Sequence, residues 1–273
     1  MTTTQSARQT AQRAARSDVL EVLTRTGFVG YALFHLAVAW LALQIALGHP
    51  AGEGDQSGAF QTLVAYPFGK ALLIVVIVGL AAMALWQLLL AAVGHQAERG
   101  KARTFERLVS AGRTIIYGAL AWTAGQVVLG APPSSAGQQQ TATAGILAQP
   151  AGRWLVGLAG LAILALGVGM AIYGYKKAFE KRLRTSHMTG RTRRSAVRLG
   201  QTGYLAKGAA FAIVGVLLAD AALTNDASKS RGLDAALRTL TAQPFGALLL
   251  IVVAAGFASF GVYCFYQARY RKV

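Results

Sequence analysis

Five stretches of this chain pass without one charged side chain: Arg25 to Glu53, Lys70 to Glu98, Arg113 to Arg153, Arg153 to Lys176 and Arg238 to Arg269. A helix needs about 20 apolar residues to cross a hydrocarbon layer of about 30 Å, and in lipid only a helix or a closed barrel bonds all of its own N–H and C=O groups. Six segments fit, at residues 27–48, 69–94, 109–130, 152–175, 202–223 and 245–266. The fifth differs in charge, because Lys207 and Asp220 leave only the residues between them neutral. With 54% hydrophobic and 14% charged residues, no polar stretch is left that is long enough for a core of its own, which disfavours a water-facing enzyme. Cys264 stands alone, so an intrachain disulfide and a cysteine metal site are excluded. Residues 1–26 lack the short apolar run and cleavage site of a secretory signal, and the first segment is expected to act as the membrane signal.

The formal charge of +17 is unevenly placed. Basic residues crowd the N-terminal tail, the stretch from Arg99 to Arg113, the stretch from Lys176 to Arg198 and the C-terminal end. The alternate loops hold Glu53, Asp55, Asp226 and Asp234 against Lys229, Arg231 and Arg238. Lysine and arginine stay on the cytoplasmic side, so both termini are expected inside, N-in/C-in, in a plasma membrane. The lipid bilayer is the expected partner, with anionic headgroups drawn to the inner face at about 1 kcal/mol per basic residue. Nucleic acid is not an expected partner, because the arginines are juxtamembrane and lack interleaved aromatics.

The chain also repeats itself. Tyr66-Pro67-Phe68-Gly69, Gln149-Pro150-Ala151-Gly152 and Gln243-Pro244-Phe245-Gly246 each open an even-numbered segment. Aligning Gly27, Val109 and Gly203 brings Tyr31, Arg113 and Lys207 together, then His35, Tyr117 and Phe211, then Gln44, Gln126 and Asp220. Each proline is expected in the first turn of its helix, where its missing N–H costs nothing. Before it, apolar residues such as Phe60, Leu63 and Val64 predict a short amphipathic helix on the outer surface. The fold expected is all-α and integral to the membrane: six transmembrane helices as three two-helix repeats, related by a pseudo-threefold axis along the membrane normal. In numbers, a cytoplasmic tail (1–22) precedes repeat 1 (23–97) and repeat 2 (98–178). A basic cytoplasmic loop (179–198), repeat 3 (199–268) and a basic end (269–273) complete the chain.

These residues resemble a bacterial membrane family catalogued as domain of unknown function 1206. Its two-helix unit opens with Gly-Tyr-x-x-Lys/Arg-Gly and turns at Pro-x-Gly. Gly203-Tyr204-Leu205-Ala206-Lys207-Gly208 fits that opening, Gly27-Phe28-Val29-Gly30-Tyr31 fits in part, and the second copy has lost the leading glycine. The resemblance spans about residues 22–270 and implies the architecture and a bacterial setting, with no activity attached.

Several side chains are candidates for chemistry. Gln44, Gln126 and Asp220 form a polar ring near the outer surface if their helix faces turn to the axis. Arg113 and Lys207 are inner-edge bases, Lys207 being expected to snorkel to the cytoplasmic surface. Lys70 and Arg153, each three after its proline, are outer-rim bases. His35 falls near mid-membrane, where an imidazole needs a partner. The corners Pro67, Gly69, Pro150, Gly152, Pro244 and Gly246 are structural. No catalytic motif or paired carboxylate marks an enzyme, and no cofactor is expected. Two functions stay open: a conduit for a small solute or ion along the axis, and a non-catalytic scaffold for lipid or a partner membrane protein. Haem held through His35 is a distant third, since His49, His95 and His187 lie at other depths.

Overall fold

The structure is a computed structural model that describes residues 18–49, 52–94, 100–131 and 133–272. Most of the expected N-terminal tail and the junction between repeats 1 and 2 fall outside the described residues. The described fold is all-helical. The long helices are α1 (Asp18–Ala46), α3 (Gly69–Val93), α4 (Gly100–Val128), α6 (Gly152–Tyr175), α7 (Gly190–Thr224) and α9 (Gly246–Tyr270). Between them lie the expected short helices α2 (Gln56–Val64), α5 (Ser135–Leu147) and α8 (Gly232–Thr241). Five of the long helices are long and apolar enough to cross a membrane; α4, which carries Lys101, Arg103, Glu106, Arg107 and Arg113, is not among them.

Neighbouring helices follow the order α4, α3, α1, α9, α7, α6. The second helix of each repeat packs on the first helix of another: α3 on α4, α6 on α7 and α9 on α1. Within repeats, α1 packs on α3 and α7 on α9, while α4 and α6 lie at opposite ends of the row. Small residues make these approaches close. A Cβ on Gly79 would lie 2.5 Å from Gly30 Cα, one on Gly167 2.5 Å from Ala212 N, and one on Gly215 2.4 Å from Leu164 N. Between apolar helices in lipid, such backbone proximity supplies the packing that a hydrophobic drive supplies in water.

The corners differ from expectation in one respect. The prolines do not occupy the first turns of α3, α6 and α9; the helices begin at Gly69, Gly152 and Gly246. Each Pro is the second residue of a β-turn closed by Gly69 N donating to Tyr66 O, Gly152 N to Gln149 O, and Gly246 N to Gln243 O, all at 2.9 Å. Phe68, Ala151 and Phe245 follow at φ 64°, 62° and 61°. Pro second and a positive φ third are features of a type II turn. The glycine is obligatory for a separate reason: a Cβ on Gly69 would meet Leu63 O at 1.9 Å, and one on Gly152 would meet Ile146 O at 1.8 Å.

Two helices begin earlier than their apolar parts. α4 starts at Gly100 and α7 at Gly190, with Thr189 accepting from Thr192 N as its cap. The second half of the expected basic loop is therefore helix. Its first half is folded too. Phe179 is fully buried against Tyr173, Tyr204 and Tyr263, and Leu183 bridges to Arg271 as a β pair. Arg184 N donates to Tyr270 O at 2.7 Å, and Lys272 N to Arg182 O at 3.0 Å. The Arg271 guanidinium lies over the rings of Phe28 and Trp86, at 5.0 and 5.1 Å, which ties the chain end to α1 and α3.

Candidate functional site

The opposite end of the bundle is closed by polar contacts among the three loops that precede α2, α5 and α8. The Asp55 carboxylate caps α2 by accepting from Ser57 N and Gly58 N. Ser57 Oγ donates to Pro133 O, and Glu53 accepts from Ser134 Oγ and Ala136 N, linking the first loop to the second. Asp234, fully buried, accepts from Gly54 N at 2.7 Å and from Arg231 and Arg238 at 2.9 Å, linking the third loop to the first. Burial pushes the Asp55 carboxyl up to about 6, helped by the charges of Glu53 and Asp234 and opposed by the two amides. Burial pushes Asp234 the same way, but the Gly54 amide and the two guanidinium groups outweigh it and hold that carboxyl below its ordinary value.

Between the two ends lies the ionisable centre. α7 carries Lys207 and α1 carries Tyr31 and His35, one helical turn apart. Lys207 does not snorkel: its side chain turns inward and the residue is only 7% exposed. Nζ donates to Tyr31 Oη at 2.9 Å and lies 3.0 Å from His35 Nε2. His35 Nδ1 is 2.8 Å from Tyr31 O. A carbonyl only accepts, so Nδ1 carries the hydrogen and Nε2 offers the lone pair that meets the amine. The face of Phe260, from α9, lies 4.1 Å from Nζ, and that of Tyr31 5.1 Å away. Tyr117, from α4, meets Tyr31 edge-on with centroids 5.2 Å apart. Among the described residues, no carboxylate pairs with Lys207.

An amine, an imidazole and a phenol thus meet in an aromatic box at the junction of all three repeats. Two of the three aligned positions, Tyr31 and Lys207, therefore meet at one centre. The alignment held part of the signal for this: Lys207 shares the repeat position of Tyr31, and His35 lies one helical turn beyond Tyr31. Both nitrogens of His35 are engaged, which leaves neither for a haem iron in this arrangement.

The other candidates are placed separately. Asp220 accepts from Lys229 Nζ at 2.6 Å, nine residues along its own chain. Gln44 donates to Tyr66 Oη at 3.3 Å, beside Trp40 Nε1 at 3.1 Å. Gln126 is half-buried, and among the described residues no side-chain hydrogen bond joins it to Gln44 or Asp220. Lys70 and Arg153 are exposed, Arg153 lying over the Trp154 ring at 5.9 Å.

A repeat-built helical bundle, with apolar helices of membrane length around a buried ionisable centre, is of the membrane-protein class. More particularly, the chain belongs to the family described as Domain of Unknown Function (DUF1206), whose pattern matches three times, at residues 26–94, 108–177 and 202–271. It is similar to the Uncharacterized protein YxxB of Bacillus subtilis (strain 168), at 33% identity over 259 residues covering 92% of each chain. No solved structure matches.

Proposed function

We propose that this is a six-span, N-in/C-in protein of the bacterial plasma membrane, built about a pseudo-threefold axis, that conducts a small solute or ion. The ion its centre is suited to handle is the proton. One observation carries this reading: Lys207 and His35 lie at hydrogen-bond distance in the interior with no carboxylate partner among the described residues. Ionisable side chains are expensive inside a membrane and are kept there chiefly for transfer of charge. If packing were the sole demand, an apolar side chain would meet it at less cost. In the transfer, the proton leaves Lys207 Nζ for the lone pair on His35 Nε2. The amine becomes neutral and the imidazole cationic, still bonded through Nδ1–H to Tyr31 O. Arg113 adds positive potential at the inner edge, and Gln44, Gln126 and Asp220 are the polar positions toward the outer surface. No enzyme activity is part of the reading.

The test is proton uptake into liposomes that hold the purified protein and a trapped pH dye, driven by a potassium diffusion potential. Wild type is expected to acidify the lumen and Lys207→Met to abolish the signal. Equal rates from both proteins, or no flux from wild type, reject the reading.

The scaffold is the second reading, favoured by the positions of α4 and α6 at the ends of the helix row. Their outward faces leave Ile115, Trp122, Leu158 and Leu161 exposed. It predicts liposomes without flux and a membrane protein that copurifies in fixed ratio.

A further inference from the structure

On the face assigned above to the cytoplasm, a basin of about 540 Å³ opens between the end of α6 and the first turns of α7. Lys177, Arg193, Arg194 and Arg198 line it, with Glu180 as the one acid. Glu180 is already taken, since it accepts from Arg193 Nε. Among the described residues, Lys177 and Arg198 have no carboxylate partner. Gly190, the first residue of α7, also lines the basin, so the positive end of a 35-residue helix faces the same space. Lys177 is held at φ 54°, a left-handed conformation that glycine adopts freely and lysine does not. A lysine kept at a position suited to glycine points to a use for its ammonium group.

Height is the second consideration. α6 ends at Tyr175 and the apolar part of α7 begins near residue 202, so Lys177 and the turns bearing Arg193 to Arg198 stand just beyond the apolar layer. That is where phospholipid headgroups lie. We propose that this basin binds the phosphate-bearing headgroup of an anionic phospholipid, with Lys177 and Arg198 as the free cations and Arg194 beside them. The proposal rests on the inner-face assignment and on the membrane setting, not on proton conduction.

The experiment uses the full-length protein, delipidated in neutral detergent and titrated with phosphatidylglycerol or with phosphatidylcholine of the same chains, bound lipid being counted by native mass spectrometry. Wild type is expected to retain phosphatidylglycerol preferentially. Lys177→Gln and Arg198→Gln are each expected to weaken retention roughly fivefold, the equivalent of about 1 kcal/mol per basic residue at an anionic surface. Lys177→Gly removes the ammonium while relieving the backbone, so loss of lipid from a variant at least as stable as wild type separates binding from folding. Unchanged retention in these variants overturns the proposal. Displacement of the lipid by millimolar inorganic phosphate overturns it as well, because the site would then recognise a free anion. Orientation is read separately: Ser186→Cys, labelled with a membrane-impermeant maleimide, reacts in inside-out vesicles if the inner-face assignment holds and in whole cells if it does not.

Discussion

Lys207 Nζ and His35 Nε2 lie 3.0 Å apart, joining helices of the third and first repeats across 172 residues of sequence. Each supplies what the other lacks, a donor to a lone pair, and Tyr31 completes both. Removing Lys207 leaves the buried lone pair of His35 Nε2 unbonded, at about 1–3 kcal/mol, and removing His35 leaves Nζ with Tyr31 Oη alone. Removing both replaces the pair with packing. A double-mutant cycle with Lys207→Met and His35→Phe, followed by denaturant unfolding in micelles, is expected to show a coupling of about 0.5–3 kcal/mol. Strict additivity would mean that the two groups do not interact.

Gly30 and Gly79 are expected to be intolerant positions. A Cβ on Gly30 would lie 2.6 Å from Gly79 Cα, backbone against backbone, with no flexible end to yield. Gly30→Leu should separate α1 from α3 and abolish the monodisperse peak in size-exclusion chromatography. Gly118→Ala and Gly125→Ala on α4 are the controls, since nothing lies within 4 Å of either added methyl. Those two variants should elute as wild type does.

The corners make opposite predictions for adjacent residues. Ala151→Gly relieves a positive φ and should raise stability by about 1 kcal/mol. Gly152→Ala forces a methyl against Ile146 O and should lower it by more than that. Thermal unfolding in one detergent compares the two directly; a loss of stability in Ala151→Gly would contradict the type II turn, and a gain in Gly152→Ala would contradict the close approach of Ile146 O.

The loops that precede α2 and α8 carry two carboxyls that respond oppositely to pH. Asp55, with its carboxyl raised to about 6 by burial, contributes stability that is fully present below the ordinary carboxylate value and is lost as pH rises through about 6. Asp234, held below its ordinary value, contributes stability present above that value and lost as pH falls through the lowered one. From about pH 4 to about pH 7 the wild type should therefore weaken through Asp55. Asp55→Asn keeps the cap and should flatten that dependence; an unaltered slope in this variant would place its origin elsewhere.

Much of this architecture was legible in the sequence because lipid enforces it. An uncharged run has one foldable state in a bilayer, so α6 matches its expected bounds, Gly152–Tyr175, and α3 falls one residue short at Val93. Where the chain leaves the apolar layer that constraint ends, which is why the helical starts at Gly100 and Gly190 were not visible in the charge pattern. The Pro-x-Gly motif was visible, yet its physical cause was not: only the packing of Leu63 O over Gly69 explains the glycine. For the site, alignment put Lys207 at the same repeat position as Tyr31. It did not show that the side chain would turn inward, because snorkelling and burial in an aromatic box place the Cα at the same depth.

The native Cys264 offers the most direct test of whether this centre opens to water. It is fully buried, lies on α9 one turn beyond Phe260, and shares a buried cluster with Phe260 against which Tyr31 packs. In wild-type protein in native membranes, a conduit predicts that a small charged methanethiosulfonate reagent modifies Cys264, and that Lys207→Met changes the rate. A thiol that stays unmodified until the protein is denatured would contradict a water-filled route for a solute or ion through this centre and leave a solid bundle in its place.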